Sequence, residues 1–413
     1  MISAIHLFDG YGVELEYMIV DRNSLAVKPI ADKIIYDVIG EFVSDVEFSE
    51  TAWSNEIVLH VIEIKTKGPR KNLIRLDELF AEDVKTINRI LRNYNCMLMP
   101  TGMHPFMNPL KETILWPHEY STTYETYNKI FNCKGHGWSN LQSVHLNLPF
   151  YNDEEFEKLH AAIRLLLPII PAISASTPII DGKITGYYDT RLEVYRKNQE
   201  KIPSITGNVI PERVFNKADY ETEILQKIYS DLSLYDKKGT LKNEWVNSRG
   251  AIARFERNTI EIRIIDIQEC PSADLAIVYA IVNALKILIS EKWIKLDKQI
   301  EWDEERLAQI FIKIIKGGEN SIIEDEEYLR VFNYTDNKKS SAKDLWKYLI
   351  KEIIRTNNVS RESWIKNIEL ILDHGSLSSR IIKSLDGNYS GNNIFKTYMK
   401  LSESLADNKI FIL

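Results

Sequence analysis

Cysteine is scarce in this chain: Cys96, Cys133 and Cys270 are the three among 413 residues. They are odd in number, far apart, and free of any Cys-x-x-Cys or Cys/His spacing. That excludes a disulfide framework and a zinc-finger type of site, and it fits a reducing, cytoplasmic setting. The start, Met1-Ile2-Ser3-Ala4-Ile5-His6, lacks the basic residues and long apolar run of a signal peptide. The longest apolar runs, such as Leu165 to Pro171, are short and broken by proline, so no membrane partner is expected. Basic charge is not in excess either. Lys and Arg number 52 against 59 Asp and Glu, a formal net charge of -7, which argues against a nucleic-acid partner. Also missing are a Gly-rich dinucleotide fingerprint, a Gly-Lys-Ser/Thr phosphate loop, a His-Glu-x-x-His pair and a nucleophile elbow. What remains is ordinary globular composition, 44% hydrophobic and 27% charged, in a chain long enough for a sizeable core.

Short β-prone runs lie at 12–20, 56–66, 96–101, 141–149 and 258–267. Helical spacing of apolar residues marks Leu73 to Tyr94, Glu154 to Leu167, Tyr220 to Leu232, and Ser272 to Ile289 with Ser272 as its cap. After about residue 300 strand signals nearly vanish. Segments 303–315, 342–355, 360–372 and 391–405 read as helices with charged outer faces, separated by loops such as Asn333 to Lys338. The expected architecture is α+β: a mostly antiparallel sheet with flanking helices over 1–295, and a helical portion, 296–413, packed on the same domain.

Polar side chains interrupt these strands in a pattern. Glu14 and Glu16 alternate with Val13, Leu15 and Tyr17, so the two carboxylates share one face. They suit a solvated strand face or a divalent cation with oxygen ligands, Mg2+ or Mn2+. Glu56 and Glu63 have opposite parity, so serving one site requires a bend or bulge between them. His145 and Asn147 share a face of the 141–149 run, and an isolated strand histidine is ordinarily a satisfied structural residue. Glu261 and Arg263 share a face of the last strand; taken alone they read first as a structural ion pair, although Arg is the side chain best shaped to hold carboxylate or phosphate oxygens. The segment Ser174 to Arg191 reads as a helix end running into a Gly-containing loop, with a plain surface connector as the simple alternative. Together these residues could gather on one sheet, where metal-bound carboxylates and an arginine would clamp a nucleotide triphosphate.

At these positions the chain resembles the glutamate–cysteine ligase superfamily, carboxylate–amine ligases related to glutamine synthetase. Gly12-Val-Glu-Leu-Glu16 resembles the family's opening acidic strand, and Glu56 with Glu63 to Thr66 its second metal strand. Met103-His104-Pro-Phe106, Val144-His145-Leu-Asn147 and Ile260-Glu261-Ile-Arg263-Ile-Ile-Asp266 follow in the family's order. Ser174 to Arg191 is similar to its substrate loop, and His374-Gly-Ser-Leu-Ser-Ser-Arg380 to its C-terminal helical end. Two departures stand out: Ser143 where many relatives open a His-Val-His motif, and an Arg249-to-Arg257 tract without the usual Arg-Pro spacing.

The resemblance implies a glutamine synthetase-like sheet and an ATP- and Mg2+-dependent (or Mn2+-dependent) amide-forming activity. It implies that Glu14, Glu56 and Glu63 hold one Mg2+ and that Glu16, His145 and Glu261 hold a second. Glu14 and Glu261 would share a third. Arg263 and Arg191 would contact phosphate and the activated carboxylate, with Asn147, His104, Arg254 and Tyr188 as substrate or nucleotide contacts. Small-molecule partners follow: ATP, glutamate and an amine such as cysteine, giving γ-glutamylcysteine on the way to glutathione. A ligase using another carboxylate, amine or peptide, and a catalytically idle nucleotide-binding homologue, remain as alternatives. A homo-oligomer is left open.

Overall fold

The computed structural model describes residues 4–335, 337–357 and 363–412. Residues 360–362 of the expected helix 360–372, Asp336 of the expected loop and the first three residues of the chain lie outside the described residues. The main sheet contains β1 (Gly12–Asp21), β2 (Asp45–Glu47), β3 (Thr51–Asn55), β4 (Val61–Thr66), β5 (Cys96–Met99) and β6 (Ser143–Pro149). Two-residue ribbons β7 (Ile179–Ile180) with β8 (Lys183–Ile184) stand apart from it. Two more main strands, β9 (Ala251–Arg254) and β10 (Thr259–Asp266), complete the sheet, and a second ribbon, β11 (Ile322–Ile323) with β12 (Ser340–Ser341), lies in the helical portion. The strand order is β2-β3-β4-β1-β6-β10-β9, every pairing antiparallel, and β5 pairs with the far end of β1.

The hub is β1, whose alternation sorts its side chains. Val13, Leu15, Tyr17 and Ile19 face the large core, all completely buried. On the opposite face Glu14 and Glu16 come first, then Met18 and Val20, which enter a second apolar cluster under the helices Leu377–Leu385 and Gly391–Asp407. One strand face thus changes from acidic to apolar along its length, and the apolar half is roofed by the C-terminal helices.

The expected strand 56–66 is not continuous. Its strand begins only at Val61, and residues 56–60 connect β3 to β4. The connection satisfies its backbone against a different segment: Leu59 N donates to Ile114 O and Trp116 N to Ile57 O. This resolves the parity conflict of Glu56 and Glu63 by a hairpin connection, not by a bulge. The strands β2, β3 and β9 lie outside the expected runs, each having only one β-branched residue and no repeated apolar alternation to mark it.

The most apolar helix, Pro271–Ile289, also differs from expectation. Cys270 occupies its N-cap position without a side-chain cap and Pro271 stands in the first turn, where its missing N–H costs nothing. Ser272 Oγ instead donates to Asp77. At 19 residues and mean hydropathy 1.8 the helix is long and apolar enough to cross a membrane, so the run 165–171 is not the chain's longest apolar stretch. It is nevertheless 72% buried, packed between Leu76–Leu91, Asp153–Leu166 and Ser363–His374 as a core helix. The stretch 220–232 divides into Lys217–Tyr220, a π-turn at Glu221–Leu225, and Gln226–Leu232. Residues on both sides of position 296, among them Leu15, Ile277, Phe311 and Trp346, share the large core.

The motif His374 to Arg380 ties the helical portion to the end of the sheet. Arg380 pairs with Glu269, both essentially unexposed, and also donates to Phe411 O at 2.8 Å. Arg380→Ala would leave the Glu269 charge buried and unpaired. The expected loss is about 3–5 kcal/mol, read as a lower urea midpoint at unchanged slope; an unmoved midpoint would refute the role given to this pair.

Candidate active site

Register places the polar strand positions side by side. Glu14 lies opposite Lys65 on one side and His145 on the other. Glu16 lies opposite Glu63, and Glu261 opposite Asn147. With Ser143, Arg191, Arg254, Arg263 and Glu56 at the start of the β3–β4 connection, all of these except Asn147 line a cleft of about 720 Å³. Its far wall is aromatic: Tyr124, Tyr127, Trp138, Tyr195 and Trp245. Tyr127 packs edge-on against Trp138, ring centroids 4.7 Å apart.

Cations thread the acids. His145 reaches Glu14 through Nδ1 at 3.1 Å and Ser143 Oγ through Nε2 at 2.9 Å. Ser143 donates its N–H and its hydroxyl to Glu16 Oε2, at 2.7 and 3.1 Å. Arg263 Nε donates to Glu261 Oε1 at 2.6 Å and Arg254 to Glu261 Oε2 at 3.1 Å. Lys65 bridges Asp45 (2.6 Å), Ser54 (2.8 Å) and Glu63 (3.3 Å).

The pKa shifts follow this arrangement. Burial works against the charged forms of His145, Glu261, Glu14, Glu63 and Glu56, and neighbours decide the balance. His145 overcomes it through its hydrogen bond to Glu14 and the charges of Glu16 and Glu261, and titrates at about 9. Glu261, against the same burial, is brought down to about 2 by Arg263, His145 and Arg254. Glu14 is lowered by His145. Glu63 lacks enough compensation and rises to about 7 through burial and the Glu14 charge. Glu56 rises well above the ordinary range through burial, Glu16 and Glu63.

The under-compensated end is where a cation fits. Glu16, Glu56 and Glu63 each bring an oxygen within 4.8 Å of the others, and Glu14, Glu63 and His145 form a second such group. Hard carboxylate oxygens with one imidazole suit Mg2+ or Mn2+. This grouping differs from the one the resemblance implied. Glu16 sides with Glu56 and Glu63, and Glu63 is common to both groups. The oxygens of Glu261 are engaged by two arginines, although His145 Nδ1 stands 3.6 Å from it.

Two expected contacts lie elsewhere. His104 is buried, with Nε2 donating to Leu25 O at 2.8 Å and Nδ1 accepting from Phe106 N at 3.0 Å. Burial lowers its pKa to about 4, so it is a neutral structural clamp and not a substrate contact in the cleft. Tyr188 packs its ring against Gly318, where a Cβ would fall 2.6 Å from the ring, and it is not among the cleft residues. Asn147 acts at one remove, donating to Glu14 Oε1 at 3.1 Å. Lys65 and the aromatic wall were not singled out from sequence. Lys65 sits two residues after Glu63, a usable signal. Of the aromatics, Tyr124 and Tyr127 share the helix Ser121–Phe131, while Trp138, Tyr195 and Trp245 come from three elements far apart in sequence, so no single period links them.

An antiparallel sheet whose one face gathers carboxylates, a histidine and arginines into a cleft suits the handling of metal-bound anions, and comparison with known proteins places the chain among ligase enzymes. A family model described as glutamate–cysteine ligase family 2 matches residues 11–395, and the chain belongs to that family. An uncharacterised protein of Archaeoglobus fulgidus is 33% identical over 403 residues, 97% of this chain and all of that protein. Among solved structures, glutamate–cysteine ligase from Francisella tularensis in complex with AMP shares the fold at a TM-score of 0.58 and 12% identity. That match covers 98% of this chain and 89% of that one. A bifunctional glutathione synthetase from Pasteurella multocida matches equally, TM-score 0.58 and 12% identity, over 97% of this chain and 52% of that longer one.

A pH dependence follows from Glu63 and His145. Each has a folded pKa above its ordinary value of 4.5 or 6.5. The stability each contributes is therefore complete below the ordinary value and is lost as pH rises through about 7 and about 9 respectively. With EDTA present, the melting temperature is expected to fall between pH 6.5 and pH 9, and millimolar Mn2+ to remove most of that fall. A profile in EDTA that is flat over this window would contradict the assignment.

Proposed function

We propose that this ligase is ATP-dependent and joins a carboxylate to an amine through an acyl phosphate, with glutamate and cysteine as the first substrates to test. The observation that carries the reading is the meeting, in one cleft, of Glu14, Glu16, Glu56, Glu63, His145 and Glu261 with Arg191 and Arg263. Divalent cations held by the carboxylates would offset phosphate charge during transfer. The carboxylate oxygen of the donor attacks the γ-phosphorus of ATP, the bond to ADP breaks, and an acyl phosphate results. The amine then attacks that carbonyl, phosphate leaves, and the amide forms with release of a proton.

The protein's own groups have separable tasks. Glu261 holds Arg263 by Nε, so the remaining guanidinium nitrogens can address phosphoryl oxygens. Arg191 offers a second cationic contact to the donor carboxylate or its phosphate. Ser143 and Asn147 keep Glu16 and Glu14 oriented. The aromatic wall sheds water from the cleft, which protects an acyl phosphate from hydrolysis and suits a small acceptor bearing apolar surface. ATP and glutamate as substrates, Mg2+ as the cation and glutathione synthesis as the setting all belong to this proposal.

The test is a panel of amine acceptors with ATP, Mg2+ and glutamate, read as phosphate release. Release that depends on cysteine supports the full reading; release with another amine keeps the class and replaces the acceptor. Nucleotide binding without turnover of any acceptor would favour an idle homologue. Glu261→Gln should lower kcat by at least about a hundredfold while leaving the melting temperature within a few degrees, since it frees Arg263 and Arg254 from their anchor. Undiminished turnover would remove Glu261 from the mechanism.

A further inference from the structure

Asp266 ends β10 and is completely buried. Simple alternation from Glu261 and Arg263 would turn position 266 toward the core. The register departs from that: Ile262 pairs with Leu146 and Ile265 with Val144, so Arg263 and Ile264 together stand opposite His145. This bulge resets the parity and returns Asp266 to the cleft side, opposite Ser143. Gly250 receives the bulge closely. Its carbonyl accepts from Arg263 N at 2.9 Å, and a Cβ there would meet Ile264 at 2.8 Å.

In that position Asp266 Oδ2 accepts from Ser176 N (2.8 Å), Thr177 Oγ1 (3.0 Å) and Ser176 Oγ (3.2 Å). Its other oxygen accepts from Arg191 Nε. Gly102 closes over the pair: a Cβ at this position would lie 2.9 Å from Asp266 Cγ and 3.1 Å from Arg191 Cδ. The guanidinium is thus gripped at its Nε edge. Among the described residues its terminal nitrogens hydrogen-bond only to Arg263 O, both at 3.4 Å, the weak limit of a hydrogen bond, and Arg191 lines the cleft. A second buried acid, Asp189, caps the short helix Thr190–Tyr195 through Leu192 N. Burial, then the Asp266 charge, push its carboxyl well above the ordinary range.

We propose that Asp266 is a positioning residue for Arg191. It fixes the Nε edge of the guanidinium so that both terminal nitrogens present as a fork to a carboxylate or phosphoryl group in the cleft. The identity of that anion, the donor carboxylate, rests on the ligase reading; the positioning does not.

The test is a double-mutant cycle of Asp266→Asn and Arg191→Lys. Affinity is measured by calorimetry for L-glutamate, with Mg2+ and a non-hydrolysable ATP analogue present, and separately for inorganic phosphate. Each single variant is expected to weaken binding by about tenfold, with the double variant no weaker than either, and nucleotide affinity unchanged within about twofold. The Arg191 Nε–H resonance should lose its protection from exchange in Asp266→Asn. An unchanged affinity, losses that multiply in the double variant, or an intact Nε–H signal would overturn the proposal. Should Asp266→Asn not fold, Thr177→Val decides by the same cycle: a loss that vanishes in the Arg191→Lys background supports the proposal, and one that persists overturns it. Wild-type protein that binds phosphate but no glutamate overturns the donor assignment alone, and the phosphate arm then decides the role of Asp266.

Discussion

Five carboxylates gathered on one side of a sheet repel one another, and everything around them answers that repulsion. Protein cations neutralise part of the charge: His145 between Glu14, Glu16 and Glu261, two arginines on Glu261, and Lys65 on Glu63. They do so unevenly. At the Glu261 end the acids are held ionised, whereas at the Glu56–Glu63 end burial prevails and the carboxyls titrate high. The imbalance has a direction, and it runs from arginines suited to anions toward oxygens suited to cations. A substrate that carries both, such as a metal–nucleotide, matches that gradient.

The scaffold keeps this costly face rigid by burying the other one. Val13, Leu15 and Tyr17 anchor β1 in the main core, so Glu14 and Glu16 cannot turn away from each other without uncovering apolar surface. The second apolar cluster, beginning two residues farther along the same face at Met18, is closed by the C-terminal helices. That places Arg380, Glu269 and the C-terminal segment at one end of the sheet and the cleft at the other. The helical portion supports the site through packing while contributing no side chain to the cleft among the described residues.

Much of this was legible in sequence because strand alternation is local. Glu14, Glu16, His145, Asn147, Glu261 and Arg263 each stood on a polar face with apolar residues behind, and each does so in the fold. The exceptions have particular causes. Glu56 looked like a strand residue because Ile57, Val58 and Leu59 are β-prone, yet their backbone pairs with residues 114–116 and leaves the sheet. His104 sat in a motif-like run, but both ring nitrogens are consumed by the backbone. Asp266 was passed over although its signal was present: the adjacent Ile264 and Ile265 break the alternation, as a bulge does.

By itself the sequence determined which residues share a face of each strand, since that depends on a two-residue period and on nothing distant. It also determined the family, through acids and arginines recurring in one order over most of the chain. Only the tertiary structure decided which acids become neighbours. Register between strands far apart in sequence places Glu16 against Glu63 and Glu261 against Asn147, and a hairpin connection brings Glu56 over the pair. Pairing of this kind is settled by packing of the whole sheet against its core, a cooperative and non-local energy that no single strand contains.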